Sequence, residues 1–270
     1  MTERHAVTDK NPRIDAIIMA AGKGTRMGGD LPKVVYEVAG RPMVWWVVKA
    51  CKEAGASRCI LVVGYKQELV REALADEEAV EFVEQTEQLG TAHAVQMAEP
   101  AFEGQPIGDV FVLAGDGPLI RAQTLSRLVE VHRRTGSAAT LATSIIEEPT
   151  GYGRIVRDGD GHFDAIVEQG DATDEQRLIC EVNPSYYCFN SQKMFKTIDQ
   201  ISAHNAQGEY YITDAPGLLK ANGQTVTVVD AVPPEDVLSI NNPDQLAEVD
   251  LILRGRLNMP KNAAANGANT

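Results

Sequence analysis

The stretch MAAGKGTRMGGDLPKVV, residues 19–35, decides how the rest of the chain is read. It follows the apolar run IDAIIM (14–19) and carries the glycines Gly22, Gly24, Gly28 and Gly29 with the cations Lys23, Arg26 and Lys33. A glycine turn directly after a buried-type strand is how α/β proteins bring backbone N–H groups to phosphate. Two familiar versions fail on spacing. G-x-G-x-x-x-G is one residue too long for the dinucleotide fingerprint, and the next apolar run, CILVVG, ends in Gly64-Tyr65 instead of a ribose-binding acid. The P-loop pattern G-x-x-x-x-G-K-[ST] is also absent, because no Lys-Ser or Lys-Thr follows a glycine at that spacing. What remains is a loop whose backbone can approach a polyphosphate. Arg26 offers a bidentate fork there, while Lys23 and Lys33 supply compact charges. Taken alone, a flexible glycine turn with solvated cations reads the same way.

Working outward, apolar β-rich runs alternate with helical spacing. The runs are IDAIIM (14–19), CILVVG (59–64), DVFVLAG (109–115) and AATLATSI (138–145). Between them, 43–55, 66–75, 90–102 and 123–136 place apolar residues at helical intervals. The alternation predicts βαβ units, a mainly parallel sheet, and a ligand site at the carboxyl ends of its strands. After residue 146 the pattern turns to short strands: GRIVRD and HFDAIVEQ around a DGDG hairpin turn, then EVNPSYYCFN. This reads as a β-rich lobe over the sheet, with QTVTVVDAV (224–232) returning to strand. NPDQLAEVDLILRGRL (242–257) opens with an Asn cap and Pro at the first helical position, which predicts a C-terminal helix. The tail 260–270, rich in Ala and Asn, reads as disordered.

Composition bounds the function. The 270 residues are 44% hydrophobic and 23% charged, the profile of a globular protein. A net charge of −13 argues against a nucleic-acid partner, so any anionic ligand is held by a few local cations and backbone N–H groups. Cys51, Cys59, Cys180 and Cys188 form no Cys-x-x-Cys pair and read as buried thiols of a reducing compartment. The first thirteen residues lack a signal-peptide core, and no run approaches a bilayer span. The expectation is a cytoplasmic protein with small-molecule substrates and no membrane partner. His93, His132, His162 and His204 are scattered, with no zinc spacing. Trp45-Trp46 and Tyr210-Tyr211 read as packing aromatics.

The blocks MAAGKGTRM, LPKVVYEVAGRPM, EQTEQLGTAHA, LAGDGPLI, PTGYGRI, IVEQGDATDEQR, NAQGEYYITD and SINNP occur in that order. Together they resemble the sugar-nucleotide pyrophosphorylases, and most closely the uridylyltransferase domain of the bifunctional bacterial enzyme that makes UDP-N-acetylglucosamine. The resemblance covers essentially the whole chain. It implies a Rossmann-like three-layer nucleotidyltransferase fold, similar to the glycosyltransferase-A type, with a mainly parallel sheet and a β-rich sugar-binding lobe. It places the nucleotidyltransferase domain at 12–243 and the helix and tail at 244–270. No hexapeptide repeat follows, so acetyl-CoA chemistry and β-helix trimerisation are not expected.

The resemblance further implies Mg²⁺-dependent formation of a UDP-sugar and pyrophosphate from UTP and a sugar 1-phosphate, with N-acetylglucosamine 1-phosphate as the leading acceptor. By motif position, Arg26 and Lys33 grip phosphates during catalysis. Ala20, Ala21, Gly22, Gly24, Thr25, Gln85, Gly90 and Thr91 bind the nucleotide, and Gly115, Gly153, Glu168 and Asn183 bind the sugar. Asp116, placed by its apolar strand at the sheet edge, and Asn241 hold the metal. Three positions depart from the family pattern, all on the sugar side. Ala114 replaces a Tyr, Gly117 replaces a Val, and Asn183 is followed by Pro184-Ser185-Tyr186-Tyr187 where the family has Asn-Thr-Gly. These departures leave other hexose or hexosamine 1-phosphates open, as well as a catalytically weak nucleotide sensor.

Overall fold

The computed structural model describes residues 12–259. Along the chain its strands are β1 (Ile14–Ala20), β2 (Glu37–Val38), β3 (Arg41–Pro42), β4 (Cys59–Val63), β5 (Val80–Glu84), β6 (Asp109–Ala114), β7 (Ala139–Ile145), β8 (Gly153–Arg157), β9 (Phe163–Val167), β10 (Glu181–Asn190) and β11 (Val226–Asp230). The helices are α1 (Met43–Glu53), α2 (Gln67–Ala73), α3 (Thr91–Gln96), α4 (Ala122–Thr135), α5 (Asp174–Arg177), α6 (Ser191–Ile198), α7 (Asp214–Ala221) and α8 (Pro243–Arg256).

One sheet organises them, in the order β11-β7-β10-β6-β1-β4-β5, with β8 added beside β10 and β9 beside β8. β1 lies between β4 and β6 and runs parallel to both, with Ile17 opposite Ile60 on one side and Val112 on the other. Both faces of β1 are covered, which is why its sequence is a continuous apolar run. Ala16, Ile18, Leu61, Phe111 and Leu113 pack under Val44, Val47 and Val48 of α1 and Leu125 and Leu128 of α4. Ile17, Ile60, Val110 and Val112 face Ala92 and Val95 of α3, Met194 and Phe195 of α6, and Leu219 of α7. The result is the expected three-layer α/β arrangement.

The structure departs from the sequence reading in five places, the last being the exposure of Cys180. EVNPSYYCFN forms β10, which sits inside the main sheet, antiparallel to β6 and β7. The β8–β9 hairpin therefore extends that sheet through Val182 and Asn183 instead of forming a layer over it. β5 was not anticipated, because as the edge strand beside β4 it carries the charged alternation VEFVE. The helix expected over 90–102 stops at Gln96, and Glu99–Phe102 makes a 3-10 turn where Pro100 lacks the N–H a longer helix needs. Cys51, Cys59 and Cys188 are buried, whereas Cys180 is exposed just before β10. The expected tail at 260–270 lies outside the described residues.

The parallel direction of β1, β4 and β6 brings the residues after Ala20, Val63 and Ala114 to one edge. α8 closes over this edge. Val249 and Leu253 pack with Met27 of the glycine loop, Val38 and Ala39, Met43, and Ile240. The helix starts where expected. The Asn242 side chain accepts from the Gln245 N–H at 2.9 Å, and the Gln245 side chain accepts from the Asn241 N–H at 2.8 Å. The Asn242→Ala substitution should cost about 1 kcal/mol, the usual loss of an Asn cap. Urea unfolding of the two proteins measures it.

Candidate active site

The loop leaving β1 forms one wall of a cleft of about 460 Å³, lined by Ala20 to Arg26, Lys33, Gln85, Gln88, Gly90 and Thr91. Its turn is made by Gly24 at φ 67°, where a Cβ would come within 2.5 Å of the Lys33 Cβ. Glycine there lets the loop fold onto Lys33 and keep its cations on one side. Asp30 anchors the far end by accepting from the Tyr65 hydroxyl at 2.5 Å and by pairing with Lys66. Lys23 lies over the Tyr65 ring, 5.1 Å from its centre.

At the other end of this cleft Gln85 is 4% exposed. Its amide nitrogen lies 3.1 Å from the Gly90 carbonyl and 3.0 Å from Nδ1 of His93. The Gly90 carbonyl only accepts, which fixes the amide orientation and leaves the Gln85 carbonyl as the free group. Gly90 has φ 116°, and a Cβ would stand 2.5 Å from the Tyr210 carbonyl oxygen. Its glycine therefore admits the 209–213 segment, whose Ile212 N–H donates to the Thr91 hydroxyl at 2.9 Å. Gln88 donates to the Ala21 carbonyl at 2.9 Å and ties this end to the glycine loop. His93 and Gln88 were not singled out by the sequence, because a lone imidazole and a loop amide carry no spacing signal.

A second cleft of about 340 Å³ adjoins the first, and the two share Arg26, Ala114 and Asp116. At this junction the Lys33 ammonium pairs with the Asp116 carboxylate and donates to Asn241 Oδ1 at 2.7 Å. Arg26 donates to the same Asn241 oxygen at 3.0 Å. Asn241 is held by its amide contact with the Ser239 hydroxyl at 3.2 Å and by Gln245. Residues from the glycine loop, the end of β6 and the turn before α8 thus converge on one point.

Beyond the shared Arg26 and Asp116, the second cleft is lined by hydroxyls, amides and a second carboxylate, Glu168. Gly153 stands beside Asn183 in the ladder, and a Cβ on it would meet Ile166 at 3.0 Å. Burial raises the Glu168 carboxyl above the usual range. Asn183 is 4% exposed; its amide donates to the Tyr187 hydroxyl at 2.6 Å and its carbonyl accepts from the Ser185 N–H at 3.2 Å. Pro184-Ser185 makes an irregularity in the β10–β7 pairing, and Ser185 takes φ 64°. One expected sugar residue is not brought here. Gly115 is buried beneath the site, its N–H donating to the Met19 carbonyl at 2.9 Å, and lines neither cleft because strand packing against Met19 and Val34 occupies it. Tyr152, inside the block PTGYGRI, and Tyr186, inside the departure after Asn183, also line the cleft, although neither was named as a site residue from the sequence. On the β8–β9 turn, Asp158, Asp160 and His162 lie close together and exposed, with Asp158 engaged by backbone N–H groups and Lys220.

The three-layer α/β domain that carries these two clefts has a nucleotidyltransferase fold. The structure of a UDP-glucose pyrophosphorylase bound to UDP-glucose superposes with a TM-score of 0.72 at 18% identity, over 90% of this chain and 99% of that one. The chain belongs to the MobA-like NTP transferase domain family, whose model matches residues 16–209. The bifunctional protein GlmU of Geobacter metallireducens is 46% identical over 243 residues, covering 90% of this chain and 51% of its own length. GlmU of Syntrophomonas wolfei is 44% identical over 246 residues, covering 91% and 54% respectively. The chain spans about half the length of the curated relatives it matches.

The Glu168 shift has a measurable sign. A raised carboxyl binds its proton more tightly in the folded chain, so ionisation weakens the fold as pH rises from the ordinary carboxylate range through the raised folded value. Glu168→Gln should therefore melt above the unsubstituted protein at about pH 8, with the gap closing by about pH 4. Thermal melts at the two pH values check it.

Proposed function

We propose that the chain is a Mg²⁺-dependent uridylyltransferase, joining UTP to a sugar 1-phosphate with release of pyrophosphate, and that N-acetylglucosamine 1-phosphate is its acceptor. The observation that carries this reading is the meeting of two clefts at Arg26, Lys33, Asp116 and Asn241. One cleft has the backbone and cations for a triphosphate, and the other has the hydroxyl-reading groups for a neutral sugar.

In the reaction an oxygen of the sugar phosphate attacks the α-phosphorus of UTP in line, and the bond to the pyrophosphate oxygen breaks. The attacking group is already an anion, so no protein base is required. The chain's task is to hold two mutually repelling anions together and to offset charge as it builds. Lys33 stands at the junction, within reach of both clefts, and Arg26 flanks both. In a chain whose overall net charge is −13, these two cations stand where the two clefts meet.

The donor set fits a hard divalent cation. The Asp116 carboxylate and Asn241 carbonyl converge on a single ammonium, which stands where a cation bound by both oxygens would stand. Bound there, Mg²⁺ would supply charge to the phosphates. The free carbonyl of Gln85 suits a base whose ring N3 donates, as uracil does and cytosine does not. Substrates of this kind are small molecules, and no helix among the described residues is long and apolar enough to cross a membrane. A cytoplasmic setting, where such nucleotides are made and used, follows as part of the proposal.

Pyrophosphate release is measured from UTP or CTP with Mg²⁺ and a panel of sugar 1-phosphates. The expected result is turnover with UTP, fastest with N-acetylglucosamine 1-phosphate. Faster turnover with CTP overturns the base assignment, and binding without turnover across the panel favours a sensor. Lys33→Ala should keep its circular dichroism and lose roughly 10²–10³ in turnover, the scale of one charge-stabilising donor; an unchanged rate rejects its role.

A further inference from the structure

Within the acceptor cleft one aromatic hydroxyl has no assigned task. Tyr186 is 2% exposed and is held in β10 opposite Leu113 of β6 and Ala142 of β7. Its ring reaches under the residue that follows Asp116. A Cβ at Gly117 would stand 2.7 Å from the Tyr186 hydroxyl oxygen and 3.5 Å from Cε1 and Cζ. Gly117 is not among the positive-φ glycines, so what requires glycine there is the phenol and not the backbone.

The hydroxyl itself is unspent. No hydrogen bond to a protein group engages it among the described residues, yet it is not one of the enclosed orphan atoms, which are Ser144 Oγ, Arg154 Nε and Thr213 Oγ1. A side chain buried along its whole ring, lining the cleft and free at its tip, opens on that cleft with the tip beside Asp116. Tyr186 lines only this cleft and is absent from the nucleotide side. A tyrosine hydroxyl is a neutral donor near neutral pH. A buried donor that meets its partner only when substrate arrives discriminates strongly, since a molecule lacking that oxygen leaves the donor unpaired.

We propose that Tyr186, admitted by Gly117, is a specificity-determining residue that donates its hydroxyl to an oxygen of the sugar 1-phosphate. The pairing explains one of the departures noted in the sequence. The Val that the family pattern places at 117 would bring a Cβ to 2.7 Å from this phenol, so Gly117 and Tyr186 are sterically coupled, a coupled exchange being any paired change at the two positions. The proposal rests on the sugar 1-phosphate reading of the cleft.

Steady-state kinetics of Tyr186→Phe, which keeps the ring and removes the donor, test it. The expected result is a melting temperature matching the unsubstituted protein, an unchanged KM for UTP, and a KM for the preferred sugar 1-phosphate raised about tenfold. An unchanged acceptor KM with an unchanged acceptor ranking overturns the proposal. The steric pairing is read separately from a cycle of Gly117→Val, Tyr186→Leu and the double variant. The double should lose less melting temperature than the two singles together, and strict additivity overturns the coupled exchange. If the unsubstituted protein releases pyrophosphate with no sugar 1-phosphate in the panel, the uridylyltransferase reading fails first. That outcome is distinct from an active enzyme indifferent to Tyr186→Phe.

Discussion

The contact on which the site depends is the Lys33 ammonium held between the Asp116 carboxylate and the Asn241 carbonyl. It joins three segments that are far apart in the chain: the end of the glycine loop, the end of β6 and the turn into α8. Each segment reaches the junction for its own reason. β6 is fixed by pairing with β1, Asn241 is fixed by the cap of α8, and the loop is folded onto Lys33 by the left-handed turn at Gly24. A cation among hard oxygens in a partly buried place is favourable because each partner offsets the desolvation of the other.

The two clefts differ in how they are built. The first cleft is made largely of backbone: glycine-loop N–H groups, the Gly90 carbonyl, and the Tyr210 segment that crosses it. Such a wall depends on glycines at particular conformations and close approaches, and these leave a readable trace. The second cleft takes Asn183, Pro184, Ser185 and Tyr186 from β10 and Glu168 from just after β9. There Asn183 is engaged by Tyr187 and Ser185, and Ser185 takes a left-handed conformation at φ 64°. Of the departures, Ala114 keeps its place in the β6–β1 ladder, whereas Pro184 lies in the register irregularity between β10 and β7.

Legibility followed the same division. β1, β4, β6 and β7, with α1 and α4, were visible as runs because each is buried on a whole face or stripe, which imposes a period. β5 was hidden because an edge strand is half solvated and its charges mimic a loop. The site residues on the glycine loop and at Gln85, Gly90, Thr91, Asp116 and Asn241 all reach the junction or the first cleft, as their motif positions implied. Gly115 lies in the right motif but is packed against β1 and lines neither cleft. His93 and Gln88 lie inside the block EQTEQLGTAHA and Tyr186 inside the departure after Asn183, yet their contacts were not legible there, because a block fixes order along the chain and not which side chains meet.

By itself, then, the sequence determined the layered α/β class, the glycine loop after β1, and the identity of the converging charged groups. Hydrophobic period and glycine spacing are local properties written directly in the chain. Only the tertiary structure decided that β10 lies inside the main sheet, that Lys33 bridges Asp116 and Asn241, and that the phenol of Tyr186 fills the room Gly117 leaves. These are contacts between segments 70 to more than 200 residues apart. Their geometry follows from packing, and no local pattern encodes it.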